Sequence, residues 1–390
     1  MTIVVTGAGS GGHITPVLAV AQALKASEPD IQVVYIGQKG DNLADIVHKE
    51  PAIDGHYAVS AGKFRRYHGE GWRQILDLKT MALNVRDAFR VLRGIWQSYW
   101  LLGRLKPSVV FIKGGFVGVP VGLMAALRRI PYVTHDSDAI PGLSNRIVAR
   151  WASKHAVALP KELYSYPQSK TVTVGVPLRP EFQLVTRKQQ VDYQRKLGIT
   201  DGGRVLFVAG GGLGAQRLNL AITSVAQQLL QEFDNLHIIH QAGRSNQAEV
   251  EQLYTDRLEA DQQSRVVVLG FAPDIHHYSG AADVVIMRAG ATYIAEIAMQ
   301  GKATILVPNP LLTGGHQLKN AEVLQKTEAA MLVSDDSLST DLPLVYSTIS
   351  TLLNDASTRR TLAANLHKLA HPHATEELTA ILLEVAKRSE

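Results

Sequence analysis

Apolar, β-branched runs alternate with stretches of helical period along the whole chain, an alternation that predicts parallel α/β sheets. In the first half it predicts strands at 2–6, 32–37, 108–112 and 131–135, with others near 154–158 and 171–174. Helical patterns lie between them, notably at 15–27 and 80–104. The second half repeats the scheme with strands near 204–209, 236–240, 265–269, 283–287 and 303–307, and helices near 214–231, 246–259, 291–300 and 316–326. No short-period repeat appears; the two halves resemble each other in architecture only.

Two strand-to-helix junctions carry glycine-rich turns: Thr6-Gly7-Ala8-Gly9-Ser10-Gly11-Gly12-His13 and Gly210-Gly211-Gly212-Leu213-Gly214-Ala215. Such a unit turns free backbone N–H groups and the positive end of a helix toward an anion, usually a phosphate. One opening each half predicts two facing Rossmann-like domains with a ligand in the cleft between them. The stretch Val174-Gly175-Val176-Pro177-Leu178-Arg179-Pro180 reads as the hinge. The tail, 356–390, is helical in pattern but broken at His371-Pro372-His373, so a final helix is expected to return and brace the first domain. The expected division is 1–177 plus about 372–390 against 178–371.

Composition narrows the class. The 390 residues are 46% hydrophobic and 19% charged, a globular balance with room for two cores. Cysteine is absent, which excludes disulfides and thiolate metal sites and fits a reducing compartment. No signal peptide is expected from Met1-Thr2-Ile3-Val4-Val5, and no run is long and apolar enough to span a membrane. The net charge of +5 is unevenly shared: residues 1–150 hold 18 Lys/Arg against 11 Asp/Glu, the remainder 22 against 24. Segment 61–106 is basic and carries three of the four tryptophans. Mixed basic and aromatic residues suit an anionic membrane surface, and by composition also nucleic acid. Within the segment, Val85, Phe89, Leu92, Trp96 and Tyr99 recur at helical spacing and are expected to pack on the sheet, with Arg86, Arg90 and Arg93 in solvent. The membrane-facing residues are expected in the preceding loop: Phe64, Arg65, Arg66, Tyr67 and Trp72. A nucleic-acid partner is not expected.

Gly7, Gly9 and Gly12 satisfy the dinucleotide fingerprint, but the second strand ends Tyr35-Ile36-Gly37-Gln38, without the acid that holds a ribose in such sites. This disfavours a nicotinamide enzyme. Other features point to a sugar nucleotide. Arg288-Ala289-Gly290-Ala291-Thr292-Tyr293 forms a further strand-to-helix turn, with Glu296 one helical turn on, where a carboxylate can accept both ribose hydroxyls. Compensation of the helix dipole would equally explain Glu296. The polar loop Thr313-Gly314-Gly315-His316-Gln317-Leu318-Lys319-Asn320 can read sugar hydroxyls, or simply cap a helix.

At these residues the chain resembles the MurG family, the peptidoglycan N-acetylglucosaminyltransferases of glycosyltransferase family 28. The motifs occur in order over nearly the whole chain: Gly9 to His13 with Pro16, Gly114-Gly115-Phe116-Val117-Gly118-Val119-Pro120, and His135-Asp136-Ser137-Asp138 through Gly142 and Asn145. Then come Val176-Pro177-Leu178-Arg179, Gly210 to Ala215 with Leu218 and Asn219, Arg288 to Glu296, and His316 to Ala321. The resemblance implies the GT-B fold and inverting transfer of N-acetylglucosamine from its UDP donor to lipid I, giving lipid II, by a peripheral enzyme on the cytoplasmic face of the membrane.

Residue by residue, it implies a donor site of Arg179, Gly212, Leu213, Gly214, Phe271, Ala272, Ala291, Thr292, Tyr293, Glu296, His316, Gln317 and Asn320. It implies an acceptor site of Gly9, Ser10, Gly11, Gly12, Gly114, Gly115, Phe116 and Asp138. His13, at the tip of the first glycine loop, is the candidate base because imidazole titrates near working pH; orienting the acceptor pyrophosphate is its alternative role. Asp136 is the second candidate, as base or as the group that tunes His13. The chain departs from the family at Gly212 (Ser), Tyr293 (Thr), Asp136 and Asp138 (Glu and Asn) and Gly315 (an acid), which opens the way to a different donor or acceptor. Asp136-Ser137-Asp138 also reads as a D-x-D metal motif, but it lies outside the donor half, and neither metal nor cofactor is expected. The rival readings are a family 28 enzyme for another lipid, a UDP-N-acetylglucosamine 2-epimerase and an inert binder.

Overall fold

The computed structural model describes residues 1–62, 78–200, 202–210, 214–272, 274–311 and 315–388. They form two compact units, one built chiefly from Met1–Pro180 and His371–Glu390, the other from Glu181–Pro310 and Gln317–Ala370.

The first unit holds a parallel sheet of β1 (Thr2–Thr6), β2 (Gln32–Gln38), β3 (Gly55–Val59), β4 (Val109–Ile112), β5 (Tyr132–Asp136), β6 (Lys154–Val157) and β7 (Thr171–Thr173), in the order β3-β2-β1-β4-β5-β6-β7. Ile3 lies between Val33 and Val109 in register. Both faces of β1 are buried: Ile3 and Val5 enter one cluster and Val4 the other. Alternate side chains point to opposite faces, so a run apolar at every position must be covered on both sides. Helix α1 (Gly11–Ser27) covers one face with Ile14, Val17, Leu18 and Leu24. Chain reversal falls at the β1/β4 boundary, where the connections leave in opposite directions.

Helix α2 (Leu78–Leu105) overturns the expected orientation. Val85 (56%), Phe89 (68%), Leu92 (61%), Trp96 (65%) and Trp100 (60%) are exposed, and Tyr99 is borderline. The buried positions are Thr80, Asp87, Gly94, Ser98 and Leu102. The inward face is small and polar for a steric reason: a Cβ on Gly94 would strike the Ser60 carbonyl. Apolar period alone marks a stripe and does not say which way it faces. The residues 63–77 before α2, with the membrane-facing residues expected there, lie outside the described residues. Helices α3 (Gly118–Leu127) and α4 (Leu143–Val148) follow β4 and β5.

The second unit repeats the plan with β8 (Arg204–Ala209), β9 (Leu236–Gln241), β10 (Val266–Leu269), β11 (Val284–Met287), β12 (Ala303–Leu306) and β13 (Met331–Leu332), all parallel, in the order β10-β9-β8-β11-β12-β13. Helices α5 (Gln216–Glu232), α6 (Ala291–Gln300) and α7 (His316–Lys326) follow β8, β11 and β12. Helix α8 (Ala356–His367) ends before His371-Pro372-His373, and α9 (Ala374–Lys387) packs on α1 in the first unit. Leu378 and Leu382 of α9 are fully buried there, each contributing about 2 kcal/mol. Thr375 accepts a hydrogen bond from the Leu178 amide (3.0 Å) and donates one to the Leu178 carbonyl (2.8 Å).

The strand expectations agree with the structure to within a residue or two. Among the elements not expected are β3, whose Gly-His-Tyr-Ala-Val is weakly apolar, the two-residue β13, and the helices α3, α4, Arg187–Lys196 and Leu342–Asn354. Helix α1 begins at Gly11 rather than at 15, because the glycines that weaken its pattern form its first turn.

Candidate functional site

In an open parallel sheet, ligands bind beyond the carboxyl ends of the strands where strand order reverses. In the first unit that place lies between the β1–α1 and β4–α3 turns. The two turns fit closely. Gly9 has φ +87, and a Cβ on Gly115 (φ +78) would sit 2.5 Å from the Ala8 carbonyl oxygen. A Cβ on Gly9 would touch the Phe116 ring at 3.7 Å. Ser10 caps α1 in extended conformation without a side-chain bond to a helix amide, and no acid lies in the helix's first turn.

His13 is in that first turn rather than at a loop tip, and half-buried. Its Nδ1 is 2.9 Å from Ser10 Oγ, and its Nε2 faces Gly114, whose Cβ would lie 3.5 Å away. Burial, and then the Lys113 charge, pull the imidazole down to about 3. The expectation that it titrates near neutrality is therefore corrected: the ring is neutral at working pH. Beside it, buried His135 is pulled down by desolvation and places Nε2 2.8 Å from the Gly175 carbonyl.

Asp136 is buried, and burial raises its pKa. Its Oδ1 accepts from the Gly142 amide (2.9 Å) and its Oδ2 from the Tyr166 hydroxyl (2.8 Å), so both oxygens help to build the β5–α4 loop. The Asp138 carbonyl accepts from Tyr164 (3.0 Å). Asn145 donates to the His135 carbonyl at 2.8 Å. Among the described residues, Asn145 Oδ1, Ser137 Oγ and Ser144 Oγ are buried here without a partner.

Two residues went unnoticed in the sequence. Asp41, three residues past the end of β2, accepts from the Gly9 amide at 2.9 Å. An acid thus reaches the turn although the strand ends without one. Lys113, between β4 and the glycine pair, is 4% exposed, and a Cβ on Gly7 would lie 3.3 Å from its own Cβ. Its signal was present: a cation directly after Val-Val-Phe-Ile and before two glycines.

The second unit builds the same crevice between β8 and β11. Gly211, Gly212 and Leu213 lie outside the described residues, so the expectations for Gly212 and Leu213 do too. Gly214 (φ +80) closes the turn, where a Cβ would strike the Ala242 carbonyl and Asn246. Gly290 caps α6, again with no acid in the first turn. Thr292 and Glu296 are buried, and Tyr293 donates to Gln241 Oε1 at 2.7 Å, its phenol pushed up by burial and then by the Glu296 charge. Arg288 pairs with Asp335 at 2.5 Å and donates to the Val307 carbonyl at 3.1 Å, holding the strand end. From α7, Gln317 accepts from the Asn309 amide (2.9 Å) and Asn320 donates to the Ala289 carbonyl (3.0 Å). Glu296, Tyr293, Gln317 and Asn320 are thus gathered at one sheet edge. Ala272 is buried beyond β10, and the Arg244 guanidinium lies 4.9 Å from the centre of the Phe271 ring. Ala291 opens α6 and His316 opens α7. Arg179 and His316 fall in the first unit.

Comparison with known proteins agrees with this anatomy. Residues 3–157 match the glycosyltransferase family 28 N-terminal domain and residues 205–378 its C-terminal domain. The UDP-N-acetylglucosamine–N-acetylmuramyl-(pentapeptide) pyrophosphoryl-undecaprenol N-acetylglucosamine transferase of Desulforudis audaxviator is 33% identical over 388 residues, 99% of each chain. The crystal structure of Acinetobacter baumannii MurG superposes with a TM-score of 0.69 at 24% identity, covering 98% of this chain and 99% of that one. A UDP-N-acetylglucosamine 2-epimerase from Neisseria meningitidis shares the fold at a TM-score of 0.66 and 11% identity, covering 98% and 100%. Backbone likeness alone therefore does not separate transferase from epimerase, whereas full-length sequence identity does. The chain has the GT-B fold and belongs to glycosyltransferase family 28, within the MurG family of N-acetylglucosaminyltransferases.

Proposed function

We propose that this protein transfers N-acetylglucosamine from UDP-N-acetylglucosamine to the 4-hydroxyl of the muramyl sugar of lipid I, forming lipid II for peptidoglycan at the cytoplasmic face of the membrane. The observation that carries the reading is the 33% identity over 99% of both chains to a transferase whose name states donor and acceptor.

In this reading the second unit takes the donor. Glu296 accepts the ribose hydroxyls, Gln317 and His316 read the sugar, and Asn320 holds their loop. Phe271 and Ala272 face uracil, with Arg179 near the nucleotide. The amides of the glycine turn with Gly212, Leu213 and Gly214, and those of Ala291, Thr292 and Tyr293, take the diphosphate. The first unit takes the acceptor pyrophosphate on the Gly9–Gly12 amides and Gly114-Gly115-Phe116, with Asp138 at the margin. The acceptor oxygen attacks the anomeric carbon from the face opposite UDP and the bond to the β-phosphate oxygen breaks, inverting the centre. The hydroxyl proton passes to His13 Nε2, and UDP leaves with the electron pair, its charge met by preorganised amides. A base held near 3 is weak, and a nearby anion favours the protonated imidazole. The bound acceptor thus strengthens its own base. Asp136, spent on the Gly142 amide and Tyr166, supports the loop.

Among the described residues no helix is long and apolar enough to cross a membrane. The exposed stripe of α2, Val85, Phe89, Leu92, Trp96 and Trp100, with Arg86 and Arg90 about half exposed beside it, fits an anionic bilayer surface, rings among the headgroups and guanidinium groups on the phosphates.

The test is transfer of label from UDP-N-acetylglucosamine to lipid I in micelles, with and without EDTA. Labelled lipid II in both is the expected result. Intact donor binding without transfer to lipid I would redirect the reading to another lipid, and conversion of free donor to its 2-epimer would replace it.

A further inference from the structure

Lys113 occupies an uncommon position for a lysine. It follows β4 at the strand-order reversal of the first unit, is 4% exposed, and lies against Gly7 across the crevice. Among the described residues no hydrogen bond or ion pair ends on its side chain. Asp136 and Asp138 hold part of its charge from a distance, yet burial still draws the ammonium down to about 8. Taking an ammonium out of water is unfavourable, and an anionic ligand that pairs with it would offset that cost.

Its surroundings mix acids with neutral groups: Asp136 and Asp138 lie on one side, and Asp41 holds the Gly9 amide on the other. The N-terminus of α1, with no acid in its first turn, supplies amides, His13 Nε2 faces Gly114, and Ser137 Oγ and Asn145 Oδ1 are buried without a partner after β5. These neutral groups, donors and acceptors together, would suit many polar ligands. A fixed buried cation restricts the choice, because an uncharged acceptor entering this crevice would seal the ammonium from water without replacing its counter-charge.

We infer that Lys113 is the acceptor-selecting residue: it pairs with the diphosphate of a diphosphate-linked lipid and thereby excludes neutral lipid acceptors and disfavours monophosphate-linked ones. The inference rests on the transfer reading above and names the group in that site which sets its acceptor class.

The test compares wild-type protein with K113M, K113Q and K113R in three measurements: transfer to a diphosphate-linked and a monophosphate-linked muramyl lipid, inhibition by inorganic pyrophosphate against acceptor, and UDP affinity. Loss of one charge-assisted contact predicts that K113M and K113Q raise the acceptor KM about tenfold or more, with a much smaller change in kcat. Pyrophosphate inhibition weakens in parallel, UDP affinity holds, and the wild-type preference for diphosphate over monophosphate collapses. K113R restores part of each, and the thermal midpoint of K113M is equal to or above wild type, since an uncompensated buried charge has gone. Wild-type turnover with unchanged acceptor KM and pyrophosphate inhibition in K113M and K113Q overturns the inference while the transfer reading stands. Lys113-dependent pyrophosphate binding by a protein that transfers to no acceptor supports the inference and breaks the transfer reading.

Discussion

The two units solve the same backbone problem and fill it with opposite chemistry. Each has a parallel sheet whose strand order reverses beside a glycine turn and a helix with no acid in its first turn. In the first unit the crevice holds Lys113, His13, His135 and Asp136, four ionisable groups packed so closely that burial shifts every one. In the second, Glu296 is set among Tyr293, Gln317 and Asn320, whose bonds run to amides and carbonyls. A desolvated pocket with a buried lysine suits a substrate recognised by its charge. One acid among neutral amides suits hydroxyls and a base edge. Their outer helices differ as well. Helix α5 buries Leu218, Ile222, Val225, Leu229 and Leu230, whereas α2 turns its large apolar residues outward. Fold supplies the location of a site, and a few side chains decide what it recognises.

The largest test of this contrast is His13→Ala. Losing the proposed base should lower kcat by about a thousandfold, within the usual range for general-base removal, while UDP affinity measured by calorimetry stays unchanged. Equal loss of UDP binding would mean that the two sites are not divided as described.

Acid titration comes next. His13 and His240 are both held near 3, His240 by burial between Tyr254 and Asn219. Their folded values lie below the ordinary 6.5, so between about pH 6.5 and 3 the unfolded chain binds more protons. Stability should rise with pH across that window and fall by a few kcal/mol on acidification to pH 4, read from urea melts. Pyrophosphate should soften the loss attributable to the first-unit crevice, where His13 and His135 lie, and leave that of His240 unchanged.

Glu296→Gln should weaken UDP binding about 10–100-fold through loss of a charge-assisted acceptor for the ribose, with pyrophosphate inhibition unaffected. The smallest effect belongs to α2. Phe89→Ser and Trp96→Ser should each reduce binding to anionic vesicles about tenfold in a flotation assay, with transfer to a short-chain soluble acceptor unchanged. Unaltered flotation would remove α2 from the membrane surface.

What the sequence allowed to be read divides along physical lines. Strand positions were legible because β1, β4, β8 and β11 are apolar at nearly every residue and need cover on both faces. The placement of Glu296 and Gln317 near the starts of the helices after β11 and β12 was legible because each sits at a fixed offset from a turn. Helix α2 was misread because the stripe Val85-Phe89-Leu92-Trp96 has the same period whether it faces a sheet or solvent; the close approach that Gly94 permits to Ser60 decides it. The titration of His13 was misread because its neighbour Lys113 comes from a strand a hundred residues on and contributes only once the sheet is formed. Asp41 escaped for a like reason, as a loop residue that reaches Gly9 by folding back.

The outward stripe of α2 also bears on how the protein would find its substrate. A protein resting on the bilayer by one helix no longer searches a volume; it and a lipid-linked acceptor meet by lateral diffusion in a plane. Turnover would then follow the mole fraction of acceptor in the surface, and diluting the membrane with inert lipid would slow the reaction even at constant bulk acceptor concentration.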